Sequence, residues 1–295
     1  MSGATRKRGM MTNVSARRIA LNGATFAYEL AGEDHQETIV ALHGGRGIGD
    51  HRGDFRAFLP LAARYRLLAY DQRGCGQSSL TPPFTFAQLV DDLEAFRQRL
   101  AGGKKITLIG GSFGGMIALS YALKYPHGLK HLILRGTAPS HHHEAQAIAN
   151  FKARLHKAPS ASLGMIDKLF SDRVTDDTEL RLIWLALQPL YYERFDADAA
   201  LERTRTLSVH AQTHNALFAD KAYDLRDRLA SIKTPTLVIV GGNDWICPPS
   251  QSRLIADAIP GARYLEVEGA NHPVHIEANQ RVLAEIEAFI AEGAP

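Results

Sequence analysis

Cysteine is nearly absent: Cys75 and Cys247 are the only two among 295 residues. A disulfide framework is thereby excluded, and a reducing cytoplasm is the simplest setting. No apolar run reaches the roughly 18 residues that a membrane-spanning helix needs. Acidic residues are missing from the opening segment MSGATRKRGMMTNVSARR, which carries Arg6, Lys7, Arg8, Arg17 and Arg18. That segment also lacks an apolar stretch of signal-peptide length, so secretion by that route is not expected. Its basic residues outnumber the formal net charge of +3, so the rest of the chain is slightly acidic. Residues 1–18 read as a flexible basic tail. Nucleic-acid binding needs a basic face on the folded body, and none is expected. The expected partner is a small-molecule or short-peptide substrate, with no nucleic acid and no membrane; the oligomeric state stays open. No internal repeat and no long low-complexity segment occurs.

What is present is an alternation. RIALNGATFAYEL reads as a hairpin, with Asn22-Gly23 as its two-residue turn. ETIVALHGG, YRLLAYDQRG, KITLIGG, LKHLILRG, TPTLVIVGGND and RYLEVEGANH each contain a short apolar run ending in glycine or polar residues. Such runs suit strands buried on both faces of a parallel sheet. Helical patterns lie between them: FAQLVDDLEAFRQRL, GMIALSYALKYP, SQSRLIADAI and QRVLAEIEAFIAE. The order argues for an α/β sheet. Between Pro139 and about Leu229 the rhythm stops. That stretch is too long for a plain loop and holds helix-like segments, ELRLIWLALQPLYYERF and DADAALERTRTLSVHAQ among them. It reads as a helical cap, residues 139–229, inserted into a core formed by residues 19–138 and 230–295.

GGSFGG, residues 110–115, falls between a strand and a helix. In G-x-S-x-G at that position, serine occupies a strained turn, and side chains two residues either side would collide. The turn exposes the Ser112 hydroxyl near a helix N-terminus, where negative charge is favoured. A P-loop is excluded, because Gly115-Met116 stands where the Lys-Ser/Thr pair would be. A serine nucleophile needs a base and an orienting acid. Downstream, Asp244 follows the apolar run TLVIV, and His272 follows YLEVEGAN. Ser112, Asp244 and His272 thus come in the chain order of a serine hydrolase built on such a sheet. His275 is the competing base. Asp71 is the competing acid but precedes the serine, so it reads as structural; Glu277 reads as a cap or brace of the last helix. The oxyanion donors are expected from the backbone N–H of Phe113 and from the loop HGGRG, with Gly45 first and Gly44 second. His43 is expected to order that loop.

Taken together, these motifs resemble the alpha/beta-hydrolase superfamily, and within it the proline iminopeptidase group. HGGRG resembles that group's HGGPG, DQRGCGQS (residues 71–78) its DQRGxGxS, GGSFGG its GGSWGG, and NDWICP the stretch around its catalytic aspartate. Similarity spans about residues 37–136 and 230–290. The resemblance implies an alpha/beta-hydrolase fold: a mostly parallel central sheet, flanking helices and a helical cap that shapes the substrate pocket. It assigns the triad to Ser112, Asp244 and His272, calls for no cofactor or metal, and implies release of N-terminal proline or another small residue. Arg46 stands where the group has proline, which puts a cation beside the oxyanion loop, facing either an acidic or carbonyl group or solvent.

Holding a free α-amino group needs carboxylates facing the pocket; the cap offers Glu144, Glu179, Glu193 and Glu202. The alternative is an esterase, amidase or lactonase, and a third reading is a ligand receptor without turnover. Arg46, Trp184, Tyr191, Tyr192 and Phe218 are the candidate substrate-binding residues. His141, His142 and His143 read as a solvated hinge rather than a metal site. Cys247 reads as a buried apolar residue near Asp244.

Overall fold

A computed structural model describes residues 17–292. The expected tail therefore lies outside the described residues up to position 16. Arg17 and Arg18 do not belong to a tail, because they open the first strand, β1 (Arg17–Leu21). β1 pairs antiparallel with β2 (Ala24–Ala31) through Asn22 and Gly23, both at positive φ (46° and 75°). That backbone matches the twist of a two-residue hairpin.

The six apolar runs are β3 (Thr38–Leu42), β4 (Arg66–Tyr70), β5 (Ile106–Gly111), β6 (Leu129–Arg135), β7 (Thr236–Gly241) and β8 (Arg263–Val267). They build one eight-stranded sheet in the order β1-β2-β4-β3-β5-β6-β7-β8. β2 is antiparallel to β4, and every pairing from β4 through to β8 is parallel. Alternation along each strand feeds two separate cores: Val40, Leu42, Leu68 and Tyr70 face one way, and Ile39, Ala41, Leu67 and Ala69 the other. Continuous apolar runs follow from burial on both faces.

The helices in chain order are α1 (Arg52–Phe58), α2 (Phe86–Leu100), α3 (Phe113–Lys124), α4 (His143–Arg154), α5 (Leu163–Leu169), α6 (Asp177–Tyr191), α7 (Ala197–Thr206), α8 (Ala211–Ala219), α9 (Pro249–Ala258), α10 (Val274–Glu277) and α11 (Asn279–Glu292). α1, α4 and α5 were not among the sequence expectations. DADAALERTRTLSVHAQ is not one helical segment. It breaks after Thr206 so that Val209 bridges Ile48, His210 donates to the Gly47 carbonyl, and Gly49 donates to that of Ser208. The cap is thereby tied to the loop after β3. α4, α5, α6 and α8 share their own core, including Phe151, Ile183, Leu187 and Phe218, which Ile48 and Trp245 join from the sheet side. Tyr223, Leu225 and Leu229, expected in the cap, pack instead into a face of the sheet core.

The chain leaves β3 toward β4 on one side and reaches β5 on the other. The carboxyl ends of β3 and β5 therefore flank the reversal of strand order, where ligands bind in open α/β sheets. DQRGCGQS builds this end. Asp71 accepts from the His51 and Gln77 backbone N–H groups (2.9 and 2.7 Å). Gln72 donates its side-chain amide to the His43 carbonyl at 2.9 Å. Arg73 clamps Asp92 with two bonds (2.7 and 2.8 Å), and both side chains are about 1% exposed. Removing one partner of a buried pair leaves the other charge uncompensated. Asp92→Ala is expected to lower unfolding stability by roughly 3–5 kcal/mol in urea denaturation; a loss below about 1 kcal/mol, as for an exposed pair, would contradict that role.

Candidate active site

Ser112 sits between β5 and α3 at φ 51°, ψ −121°, one of two non-glycine residues at positive φ among those described. Such a conformation costs of order 1–3 kcal/mol and persists only where its surroundings enforce it. They do: Ser112 N–H donates to the Arg135 carbonyl (2.9 Å), and its own carbonyl accepts from Thr137 Oγ1 (2.7 Å) and from Gly115 N–H (2.9 Å). The turn closes only over glycine. A Cβ at Gly114 would lie 2.5 Å from the Leu42 carbonyl oxygen, and one at Gly110 2.5 Å from that of Gly114.

Asp244 follows β7 and is buried. Its Oδ1 accepts the N–H groups of Ile246 and Cys247 (3.0 and 2.9 Å), which leaves Oδ2 for His272 Nδ1 at 2.7 Å. The carboxylate thus holds the imidazole with Nδ1 protonated and Nε2 free to accept. The His272 and Tyr191 rings meet in a T-shaped arrangement, centroids 5.4 Å apart. Glu277 acts elsewhere than expected: it accepts from the backbone N–H of Asn271 and of Glu193, joining the His272 loop to the cap rather than bracing the last helix.

Ser112 and His272 line one cavity of about 260 Å³ under the cap. Gly44, Gly45, Arg46, Phe113, Trp184, Tyr191, Tyr192 and Phe218 line it too, so the structure brings together the residues singled out in the sequence, with Asp244 behind His272. A Cβ at Gly44 would come within 2.9 Å of Ser112 Cβ, so glycine permits this close approach. Gly45 turns at φ 85°. His43 orders the loop: Nδ1 donates to the Gly44 carbonyl at 2.7 Å, and Nε2 faces Gln72 N–H at 3.3 Å. Arg46 does not face solvent; it is 6% exposed and points into the cavity wall.

Sequence reasoning missed Asp54, Arg135 and His214 as wall residues. Asp54, from α1, pairs with Arg135 at the end of β6, and His275 lies beside them with Nε2 3.8 Å from Asp54. A charge closing the apolar run LIL, residues 132–134, was the available signal for Arg135. His275 belongs to the short α10, apart from the last helix. His214, on α8, and His143 also reach the wall. The solvated-hinge expectation fails at His143, which is buried at the start of α4 and bonds the Ser140 carbonyl at 2.8 Å. Burial pushes His143 and His214 down to about 4 and takes His275 well below its ordinary value. All three are neutral near pH 7. Burial likewise drives the Cys247 thiol well up, against thiolate formation.

Among the described residues no helix is long and apolar enough to cross a membrane. The family model described as the alpha/beta hydrolase fold matches residues 37–279. Proline iminopeptidase PfmaB of Pestalotiopsis fici is 47% identical over 92% of this chain and 98% of its own length. The proline iminopeptidase of Saccharolobus solfataricus is 28% identical over 96% and 94%. Among solved structures, a hydrolase from Pseudomonas aeruginosa PA01 superposes with a TM-score of 0.72 at 28% identity, covering 95% of this chain and 99% of that one. A meta-cleavage product hydrolase from Pseudomonas fluorescens IP01 shares the fold at 18% identity, TM-score 0.76, covering 95% and 99%. A family match over most of the chain, with a relative so similar end to end, settles the classification: the chain belongs to the alpha/beta hydrolase fold family and is a serine hydrolase.

Proposed function

We propose that the enzyme cleaves small acyl substrates through an acyl-enzyme on Ser112, with His272 as base and Asp244 as its orienting acid. The observation that carries this is the 2.7 Å pairing of His272 Nδ1 with Asp244, on a histidine that shares the cavity with a serine held at positive φ. As Ser112 Oγ bonds to the substrate carbonyl carbon, its proton passes to His272 Nε2. The backbone N–H of Phe113, with that of Gly45 or Gly44, holds the oxyanion. The bond to the leaving group breaks as His272 returns the proton to it. Water then attacks the acyl-enzyme, and the acid and free Ser112 are released.

Two substrate classes fit this chemistry. The relatives named proline iminopeptidase support release of N-terminal proline. The cavity wall favours the second class: esters, amides or lactones without a free amine. Among the described wall residues the one carboxylate is Asp54, already paired with Arg135. Glu144 is held by Lys221 and Glu179 by Lys168, Glu202 lies near Arg205, and Glu193 is exposed and outside the cavity wall. A buried substrate ammonium would then lack an anion.

The test compares prolyl-naphthylamide with its N-acetylated counterpart. The expected result is cleavage of the acetylated compound at least as fast as the free amine. Cleavage of the free amine alone would establish the proline reading. Labelling of Ser112 by a fluorophosphonate, without turnover of any ester, amide or lactone, would instead favour a receptor.

A further inference from the structure

A guanidinium taken out of water requires a counter-charge or a full set of acceptors. Arg46 has neither among the described residues. Its Nη1 donates to the Leu217 carbonyl at 3.3 Å, and its Nη2 lies 3.5 Å from Met116 Sδ, a weak acceptor. A guanidinium has more N–H donors than these contacts use. The rest of its surroundings is aromatic: Phe218 at 4.1 Å from the guanidinium carbon, Phe113 at 5.4 Å and Phe86 at 5.6 Å. Rings stabilise a cation by about 2 kcal/mol or more when desolvated, which offsets only part of its burial. Burial accordingly lowers the Arg46 pKa from its ordinary value, with Glu144 the largest opposing influence. That carboxylate is itself taken by Lys221.

Among the described residues no carboxylate forms an ion pair with Arg46. His143 and His214 are neutral, and Asp54 belongs to Arg135. His214 bonds the Arg46 carbonyl through Nδ1 at 3.2 Å, while its Nε2, fully buried at the cavity wall, has no partner. The guanidinium is held rather than free to swing out. Its loop is bonded to the cap at residues 208–210, and its head lies over the first turn of α3, which begins immediately after Ser112. An uncompensated cation is thus built into the same small cavity as the nucleophile.

We propose that Arg46 is the subsite for a carboxylate on the substrate, so that the enzyme hydrolyses small acyl compounds that carry a free acid group. This deepens the second substrate class and rests on Ser112 as nucleophile. The carboxylate supplies the missing counter-charge and takes the unused N–H donors, a pairing for which a guanidinium is suited by shape. The aromatic rings around Arg46 then hold the apolar part of the substrate.

The proposal is tested with the full chain on 4-nitrophenyl hydrogen glutarate and on its uncharged counterpart, 4-nitrophenyl pentanoate. The expected result is a kcat/KM for the acid-bearing ester at least about tenfold above that for the neutral one. In Arg46→Met that ratio should fall at least about tenfold. A wild-type ratio of one or below overturns the proposal, as does a ratio that Arg46→Met leaves unchanged. Should Arg46→Met fail to fold, calorimetric titration of the wild type with 3-phenylpropanoate and 3-phenylpropanamide decides. Tighter binding of the carboxylate supports the subsite, and equal or weaker binding overturns it. Fluorophosphonate labelling separates this from the underlying reading: an unlabelled Ser112 removes the nucleophile, while the titration still judges Arg46 by itself.

Discussion

Ser112→Ala lowers kcat/KM by at least about 10⁴-fold while leaving stability within about 0.5 kcal/mol of the parent. The two halves of this expectation have separate causes. Rate is lost because no other wall residue offers a comparable nucleophile beside His272. The Cys247 thiol lines the same cavity, but burial drives its pKa well up, so it does not substitute as a thiolate. Stability is kept because the strain at position 112 belongs to the backbone. Alanine has the same Cβ, and the bonds that hold the turn run through the N–H and carbonyl of residue 112. Steady-state kinetics on whichever ester or amide the wild type turns over, with urea unfolding of both proteins, checks the pair of claims. Undiminished turnover would sink the mechanism.

Asp244→Asn is expected to lower kcat by about 10³- to 10⁴-fold, with a much smaller change in KM. Oδ1 of Asp244 accepts two backbone N–H groups, from Ile246 and Cys247. An asparagine keeps those bonds only by placing its oxygen there. Its NH₂ then points at His272 Nδ1, where Asp244 Oδ2 accepts today. Two donors cannot meet, so the imidazole shifts its proton to Nε2 and loses the lone pair that must take the serine proton. Substrate contacts are untouched, because Asp244 lies behind His272 and not in the cavity wall. A kcat within about tenfold of wild type would show that the pairing does not set the tautomer during turnover.

Much of the site was legible because its parts are local. GGSFGG marks Ser112, since the steric demand for glycine acts within a few residues of the turn. Asp244 follows β7, an apolar run buried on both faces, and the loop of His272 follows β8, the half-buried edge strand beside it. The hairpin at Asn22-Gly23 is equally local. Other readings failed for want of long-range information. Whether three consecutive histidines face water depends on what the cap packs against, and His143 is buried. The break between α7 and α8 is set by pairing with the loop at 47–49, far away in the chain.

By itself, then, the amino-acid order determined the alternation of strands and helices, the strained serine, and the order in which Ser112, Asp244 and His272 occur. These depend on covalent geometry and on short-range periodicity. Tertiary structure alone decided what the cavity wall is made of. Arg46 is a buried cation in the cavity of Ser112 only because Phe218, on α8, packs over it and excludes water. Asp54 and Arg135, 81 residues apart, neutralise each other only across the sheet. A charge's worth depends on its solvent and its neighbours, and both are set by contacts between segments far apart in the chain.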